Sequence, residues 1–321
     1  MAVRIGFIGC GGIARQHMRR LAKMEEVELA AYYDVEGEKA RECANEFGGR
    51  AYESYEEMLE KEGLDAVYIC TPPFAHGDIE KAVLAREIPF FVEKPIALSV
   101  RVAEEIAEEL ERKGLFASVG YHFRYFDTVE RAKELLSERE IGMVLGWWLG
   151  GFVGTPWWRV YAKSGGQIVE QTTHIFDLAR YLVGEVEEVH AYMSLRLLKD
   201  IPNMDVPDVG VCNLKFEGGV VGNISNTCIT GAGGRIGLAV YCRDFVVDIT
   251  GGRLTVIEPE RSESFDPKVD PYELEDRIFV EAVRTKDPSG IRSPYPDALR
   301  TLKVTLAANE SAKVGKPVKV G

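Results

Sequence analysis

The chain has 321 residues, 46% of them apolar and 28% charged, and carries a net charge of −12. Its length favours two domains, and its composition suits ordinary globular cores. The negative charge argues against nucleic acid or an anionic membrane surface as a partner, because either would need a basic face.

From residue 3 to about 119, short apolar runs alternate with segments of helical spacing. The runs fall at 3–8, 27–33, 66–70, 90–92 and 116–119, with a further short strand near 50–52. The helical segments fall at 13–24, 37–47, 55–62, 76–86 and 100–113. This alternation predicts a parallel sheet covered by helices on both faces. The runs show little polar alternation, as strands buried on both faces require.

After Tyr121 the pattern changes. Helices are predicted at 128–138 and 167–183, and Trp147-Trp148 reads as strand. Hairpins follow: 206–216 turns at Gly218-Gly219 into 220–227, 236–242 turns at Arg243-Asp244 into 245–249, and Gly251-Gly252 leads into 253–258. Such hairpin signals predict an antiparallel sheet. Loops are expected at 231–234 and 261–271, and helices at 272–285 and 295–314. The whole reads as an α/β protein. A doubly wound parallel sheet occupies residues 1–121. An α+β domain with a large, mostly antiparallel open sheet occupies 122–321, with helix 295–314 free to pack back near the first domain.

The first strand ends in Gly9-Cys10-Gly11-Gly12-Ile13-Ala14, which fits G-x-G-x-x-G/A and opens a helix. Gly9 would make the tight turn, Gly11 would let the backbone approach a pyrophosphate, and Ala14 would let the helix pack close. Free N–H groups at the helix start, from Gly12 and Ile13 onward, favour phosphates. Asp34 ends the second strand 20 residues after Ala14. A carboxylate there can bond ribose hydroxyls and would repel a 2′-phosphate, so NAD is expected over NADP. Thr71-Pro72-Pro73 follows the fourth strand at its carboxyl end, where ligands sit in such sheets.

Gly9–Ala14, Thr71-Pro72, Glu93-Lys94-Pro95 and the block 165–177 together resemble the Gfo/Idh/MocA oxidoreductases, whose first domain is a Rossmann fold. The resemblance spans most of the chain, and Glu-Lys-Pro is its most specific motif. It implies an NAD-dependent dehydrogenase acting on the CH–OH of a sugar, inositol or related polyol, with substrate beside the nicotinamide between the domains. Lys94 would hydrogen-bond the reacting hydroxyl, and a cis bond before Pro95 is implied. Being followed by proline holds Lys94 extended. His174 matches the histidine of the family's D-x-x-x-H pattern. Glu170 stands where aspartate is more usual, and Gln171-Thr172-Thr173 replaces a glycine-containing stretch.

Glu170, His174 and Asp177, at i, i+4 and i+7, would share one helix face and join Lys94 as the catalytic set. A carboxylate beside a histidine makes a reasonable base, and either Lys94 or His174 could take the hydroxyl proton. Zinc or iron sites use similar spacings, but the lysine motif supplies a metal-free route, so no metal is expected. Tyr121, His122 and Arg124 sit where the domains hand over; Tyr121 is a candidate for substrate, His122 and Arg124 for cofactor. Thr71, Pro72, His76, Glu93 and Lys94 complete the cofactor list, and Trp158 and Arg159 the substrate list. His17 and His190 offer no reason to be chosen. The rival readings are an NAD-using glycosidase and a non-catalytic nucleotide-binding regulator.

Six cysteines form no Cys-x-x-Cys pair and read as buried, reduced thiols. No export leader and no run of about 18 apolar residues is seen, so a cytoplasmic protein is expected. A homodimer or homotetramer is expected through the second sheet.

Overall fold

The computed structural model describes residues 2–321. The described residues divide into two compact units: residues 2–122 with 270–299, and residues 123–269 with 300–321.

In the first unit the order is β1 (Val3–Ile8), α1 (Gly12–Leu21), β2 (Val27–Tyr33), α2 (Gly37–Phe47), β3 (Arg50–Tyr52), α3 (Tyr55–Lys61), β4 (Ala66–Ile69), α4 (Asp78–Ala85), β5 (Phe90–Val92), α5 (Val100–Lys113) and β6 (Ala117–Val119). All pairings are parallel, in the order β3-β2-β1-β4-β5-β6. The strand order reverses between β1 and β4, which places the ligand crevice at their carboxyl ends. An aromatic column runs through the core: Phe7 to Tyr68 at 4.9 Å, Tyr68 to Phe91 at 4.8 Å, and Phe91 to Phe279 at 5.8 Å.

Phe279 comes from far along the chain, and this return corrects the expectation of an uninterrupted second domain from 122 onward. The segment 270–299 belongs to the first unit, where α10 (Pro271–Thr285, numbered in chain order) packs on α1 and β1. Asp270 caps it, accepting from the N–H groups of Tyr272 and Glu273.

The second unit contains α6 (Asp127–Leu136), β7 (Ile141–Leu149), α7 (Tyr161–Ser164), α8 (Gly166–Glu170), α9 (Thr173–Val183), β8 (Val186–Ser194), β9 (Val209–Phe216), β10 (Val221–Thr227), β11 (Arg235–Cys242), β12 (Phe245–Thr250), β13 (Arg253–Glu258), β14 (Arg261–Phe265), most of α11 (Tyr295–Val314) and β15 (Val318–Lys319). Nine strands make one sheet, β14-β13-β12-β11-β7-β10-β9-β8-β15, antiparallel except for the β7–β10 pair. The three expected hairpins form, with Asp244 in the left-handed region at its turn. Residues 261–265, expected as loop, form edge strand β14. Its Arg-Ser-Glu-Ser start is exposed and carries no apolar alternation to betray it.

One face of this sheet is covered by α6 and α9, with Val144, Ile175, Phe176, Leu182, Leu238 and Val247 in the core. The other face is open. Alternation along β9 buries Cys212, Leu214 and Phe216 and exposes Val211 and Lys215. Tyr192 pairs opposite Val211, and Met143 opposite Val221, so these exposed apolar residues share the open face.

No described helix is long and apolar enough to cross a membrane, and all six cysteines are free thiols.

Candidate active site

Gly9 turns the chain after β1 at φ 94°, and a Cβ there would lie 2.5 Å from the Cys70 carbonyl oxygen. Only glycine satisfies both constraints. Ala14 is fully buried under α1, and Ile13 packs against the same core. No side chain caps the N-terminus of α1, and Cβ atoms on Gly11 or Gly12 would meet nothing. The first-turn N–H groups therefore face open space, which suits a phosphate. Asp34 braces this loop: one carboxylate oxygen accepts from the Cys10 N–H at 2.8 Å, the other from the Glu36 N–H at 2.9 Å. Each oxygen keeps a second lone pair for a ribose hydroxyl.

Thr71 Oγ1 is buried with no partner among the described residues, and so is His76 Nε2. His76 precedes α4 rather than opening it. Its Nδ1 lies 2.5 Å from Glu80, whose other oxygen accepts from the Gly77 N–H at 2.6 Å. An open helix start, a braced acid and two orphaned polar atoms at the strand ends fit a dinucleotide.

Lys94 follows β5, and the Lys94–Pro95 bond is cis. Glu93, expected at the cofactor, faces inward instead. Its Oε1 lies 3.1 Å from His17 Nε2, and its Oε2 accepts from the Lys94 N–H at 3.2 Å. His17 Nδ1 lies 2.7 Å from Asp276 Oδ1, which also accepts from the Tyr68 hydroxyl at 3.1 Å. Burial by itself would lower the His17 pKa. The charges and hydrogen bonds of Asp276 and Glu93 outweigh it and push the imidazole up to about 10. A Cβ on Gly120 would lie 2.9 Å from Glu93 Oε1, so the missing side chain makes room for the carboxylate.

His122 lies flat on Tyr272, ring centres 4.0 Å apart, and is 7% exposed. Burial, then the positive charges of Lys94, His17 and Arg20, holds it well below the ordinary histidine range. Tyr121 is buried beside it in the chain.

In the second unit the predicted helix 167–183 is broken. The Gln171 and Thr172 N–H groups both bond the Gln167 carbonyl, and the ladder then tightens with His174 on Gln171 at 3.3 Å. The wide turn separates α8 from α9, so the helix is interrupted between Glu170 and His174. Such local widening recurs at functional sites. Glu170 accepts from the indole N–H of the buried Trp158 at 2.7 Å. His174 is 4% exposed and stacks with Phe123 at 5.2 Å and Trp148 at 5.7 Å.

Asp177, expected in the catalytic set, is committed elsewhere. Arg124 grips it through two bonds of 2.7 and 2.6 Å, and the Thr301 hydroxyl donates to it at 2.9 Å. Both charges are almost fully buried. This pair therefore holds the first turns of the second unit to α9 and α11, and it engages Arg124, which the sequence placed at the cofactor. Arg159, expected at substrate, bonds the carbonyls of Gly154 and Pro202 at 3.1 and 3.3 Å and staples two loops.

Residues 3–121 match the family described as oxidoreductase family, NAD-binding Rossmann fold, and residues 129–270 match the Gfo/Idh/MocA C-terminal domain. The chain belongs to the Gfo/Idh/MocA family. It is 28% identical to a myo-inositol 2-dehydrogenase of Thermotoga maritima, covering 99% of this chain and 98% of the relative. It is 27% identical to an NAD-dependent scyllo-inositol 2-dehydrogenase of Bacillus subtilis, over 99% and 96%. Levoglucosan dehydrogenase in complex with NADH has the same fold, with a TM-score of 0.89 at 20% identity over the full length of both chains. As a Gfo/Idh/MocA member the protein is an NAD-dependent dehydrogenase acting on CH–OH groups.

Within this Gfo/Idh/MocA chain, sequence reasoning missed His17, Gly120, Tyr272 and Asp276. The only local signal was the position of His17 on the buried stripe Ala14, Met18, Leu21 of α1. A polar residue on such a stripe needs buried partners.

Proposed function

We propose that the protein oxidises a secondary hydroxyl of a cyclic polyol or sugar, with NAD preferred over NADP. The observation that carries this reading is Lys94: it sits at the carboxyl end of β5, next to the switch point, on a loop anchored by Glu93. The names of the inositol dehydrogenases above support the substrate class.

The α1 N-terminus would take the pyrophosphate, Asp34 the ribose hydroxyls, and Thr71 with His76 the remaining polar edge. Asp34 disfavours a 2′-phosphate by charge. When bound, NAD supplies the hydride acceptor. Lys94 hydrogen-bonds the reacting hydroxyl and steadies developing negative charge on its oxygen. The proton leaves to Lys94 or to His174, whose ring plane is fixed by its stacking on Phe123 and Trp148. We further propose that the open face of the nine-stranded sheet, with Tyr192, Val211, Val221 and Met143, meets a second copy of the chain.

The test is absorbance of reduced cofactor with NAD or NADP across inositols, aldoses and sugar acids. Turnover of one or more of them with NAD is the expected result. Binding of NAD with no reduction by any compound would overturn the substrate class.

A further inference from the structure

Two carboxylates flank one buried imidazole. Asp276 lies 2.7 Å from His17 Nδ1 and Glu93 lies 3.1 Å from Nε2. A neutral ring can donate at one nitrogen only and would set lone pair against lone pair at the other. As an imidazolium it donates at both. The pocket excludes water: the side chains of His17 and Asp276 are fully buried, and that of Glu93 is 10% exposed. The rings of Phe91 and Tyr68 close around His17 at 5.0 and 5.4 Å, and Tyr272 stands at 6.3 Å. Other charged or titratable groups facing the cluster are Arg20 over Tyr272, the Tyr68 hydroxyl on Asp276, Cys70, His122 and Lys94.

Three elements meet here. His17 lies on α1, whose N-terminus opens the dinucleotide loop. Glu93 directly follows β5 and precedes Lys94. Asp276 lies on α10, the helix that returns from the far end of the chain. Glu93 is fixed on three sides: by His17, by the Lys94 N–H and by the bare Cα of Gly120. Turned away from His17 it would lose that pairing, and an unpaired buried carboxylate is costly.

We propose that His17 is a positioning residue for Lys94: gripped between Asp276 and Glu93, it fixes Glu93, and through Glu93 the backbone and reach of Lys94, relative to the nucleotide-binding helix. This rests on the reading that Lys94 touches the reacting hydroxyl. His17 itself touches neither substrate nor cofactor.

The experiment compares full-length wild type, His17→Gln, Glu93→Gln and the double variant. Each is measured for kcat, polyol KM, NAD affinity, thermal stability and the acylation rate of Lys94 mapped by mass spectrometry. His17→Gln is expected to lower kcat by about 10- to 100-fold, the scale of an ångström-size misplacement. NAD affinity and polyol KM should change less than about threefold. In the Glu93→Gln background the same change should cost less than about threefold, because the route runs through Glu93. A lowered melting temperature with kcat unchanged would overturn the proposal, as would additive effects of the two substitutions.

Lys94 acylation needs no turnover, so it separates this proposal from the reading beneath it. It should change by at least about fivefold in His17→Gln, a shift well outside the scatter of uncoupled sites, while other lysines keep their rates. An unchanged Lys94 rate overturns the positioning role even where wild type is active. A wild type that oxidises no polyol overturns the reading of Lys94 while leaving the coupling to be decided by that rate.

Discussion

Asp177→Asn separates a structural acid from a catalytic one. The substitution removes the carboxylate that holds the Arg124 guanidinium, 4% exposed at the side chain, through two hydrogen bonds. Breaking one partner of a buried pair costs about 3–5 kcal/mol. For a domain of this size each kcal/mol moves the melting temperature by about 2–4 °C, so a drop of roughly 6–20 °C is expected for the second unit. Calorimetry reads it directly. Replacing both partners, as in Arg124→Met with Asp177→Leu, should recover much of the loss, because a buried ion pair is then exchanged for apolar packing. Below the lowered transition, kcat per folded molecule should stay within about threefold of wild type. An unchanged melting temperature with kcat reduced by about a hundredfold or more would show that Asp177 serves the reaction, refuting the structural assignment.

The His17 clamp sets a pH dependence. The imidazole is protonated up to about pH 10 in the fold but only to about 6.5 when unfolded. Its stabilisation is complete below 6.5 and declines as pH rises toward 10, by up to about 1.4 kcal/mol per unit. Urea unfolding between pH 6.5 and 8.5 should therefore show a falling slope that flattens in His17→Gln; identical slopes would contradict the clamp. Gly120→Ala should cost about 1–3 kcal/mol and depress kcat, since its Cβ would press on the Glu93 carboxylate. Val211→Lys on the open sheet face should shift the sedimenting species toward monomer, and an unchanged mass would remove that face from the assembly.

What the sequence made legible was local. The glycine turn, the alternation of strand and helix, and three hairpins are set by short-range periodicity and backbone preference, and all of them form. Lys94 and His174 stood out only through motif resemblance, and their roles stay proposals. Long-range pairing was not. His17 and Asp276 are 259 residues apart, and no spacing rule links them. The Arg124–Asp177 pair is equally invisible, so Asp177 was read by its place beside His174 rather than by its partner. The break between α8 and α9 hides because Gln171 and Thr172 keep near-helical dihedrals while the hydrogen-bond ladder slips. Strand β14 hides because an exposed edge needs no apolar alternation.

The most direct measurement is single-turnover formation of NADH from a polyol by wild type and by Lys94→Met, with NAD affinity measured on the same samples. Loss of the lysine should slow NADH formation by about 10²- to 10⁴-fold while NAD affinity stays within about threefold. NADH formed at the wild-type rate by Lys94→Met would contradict the assignment of Lys94 to the reacting hydroxyl.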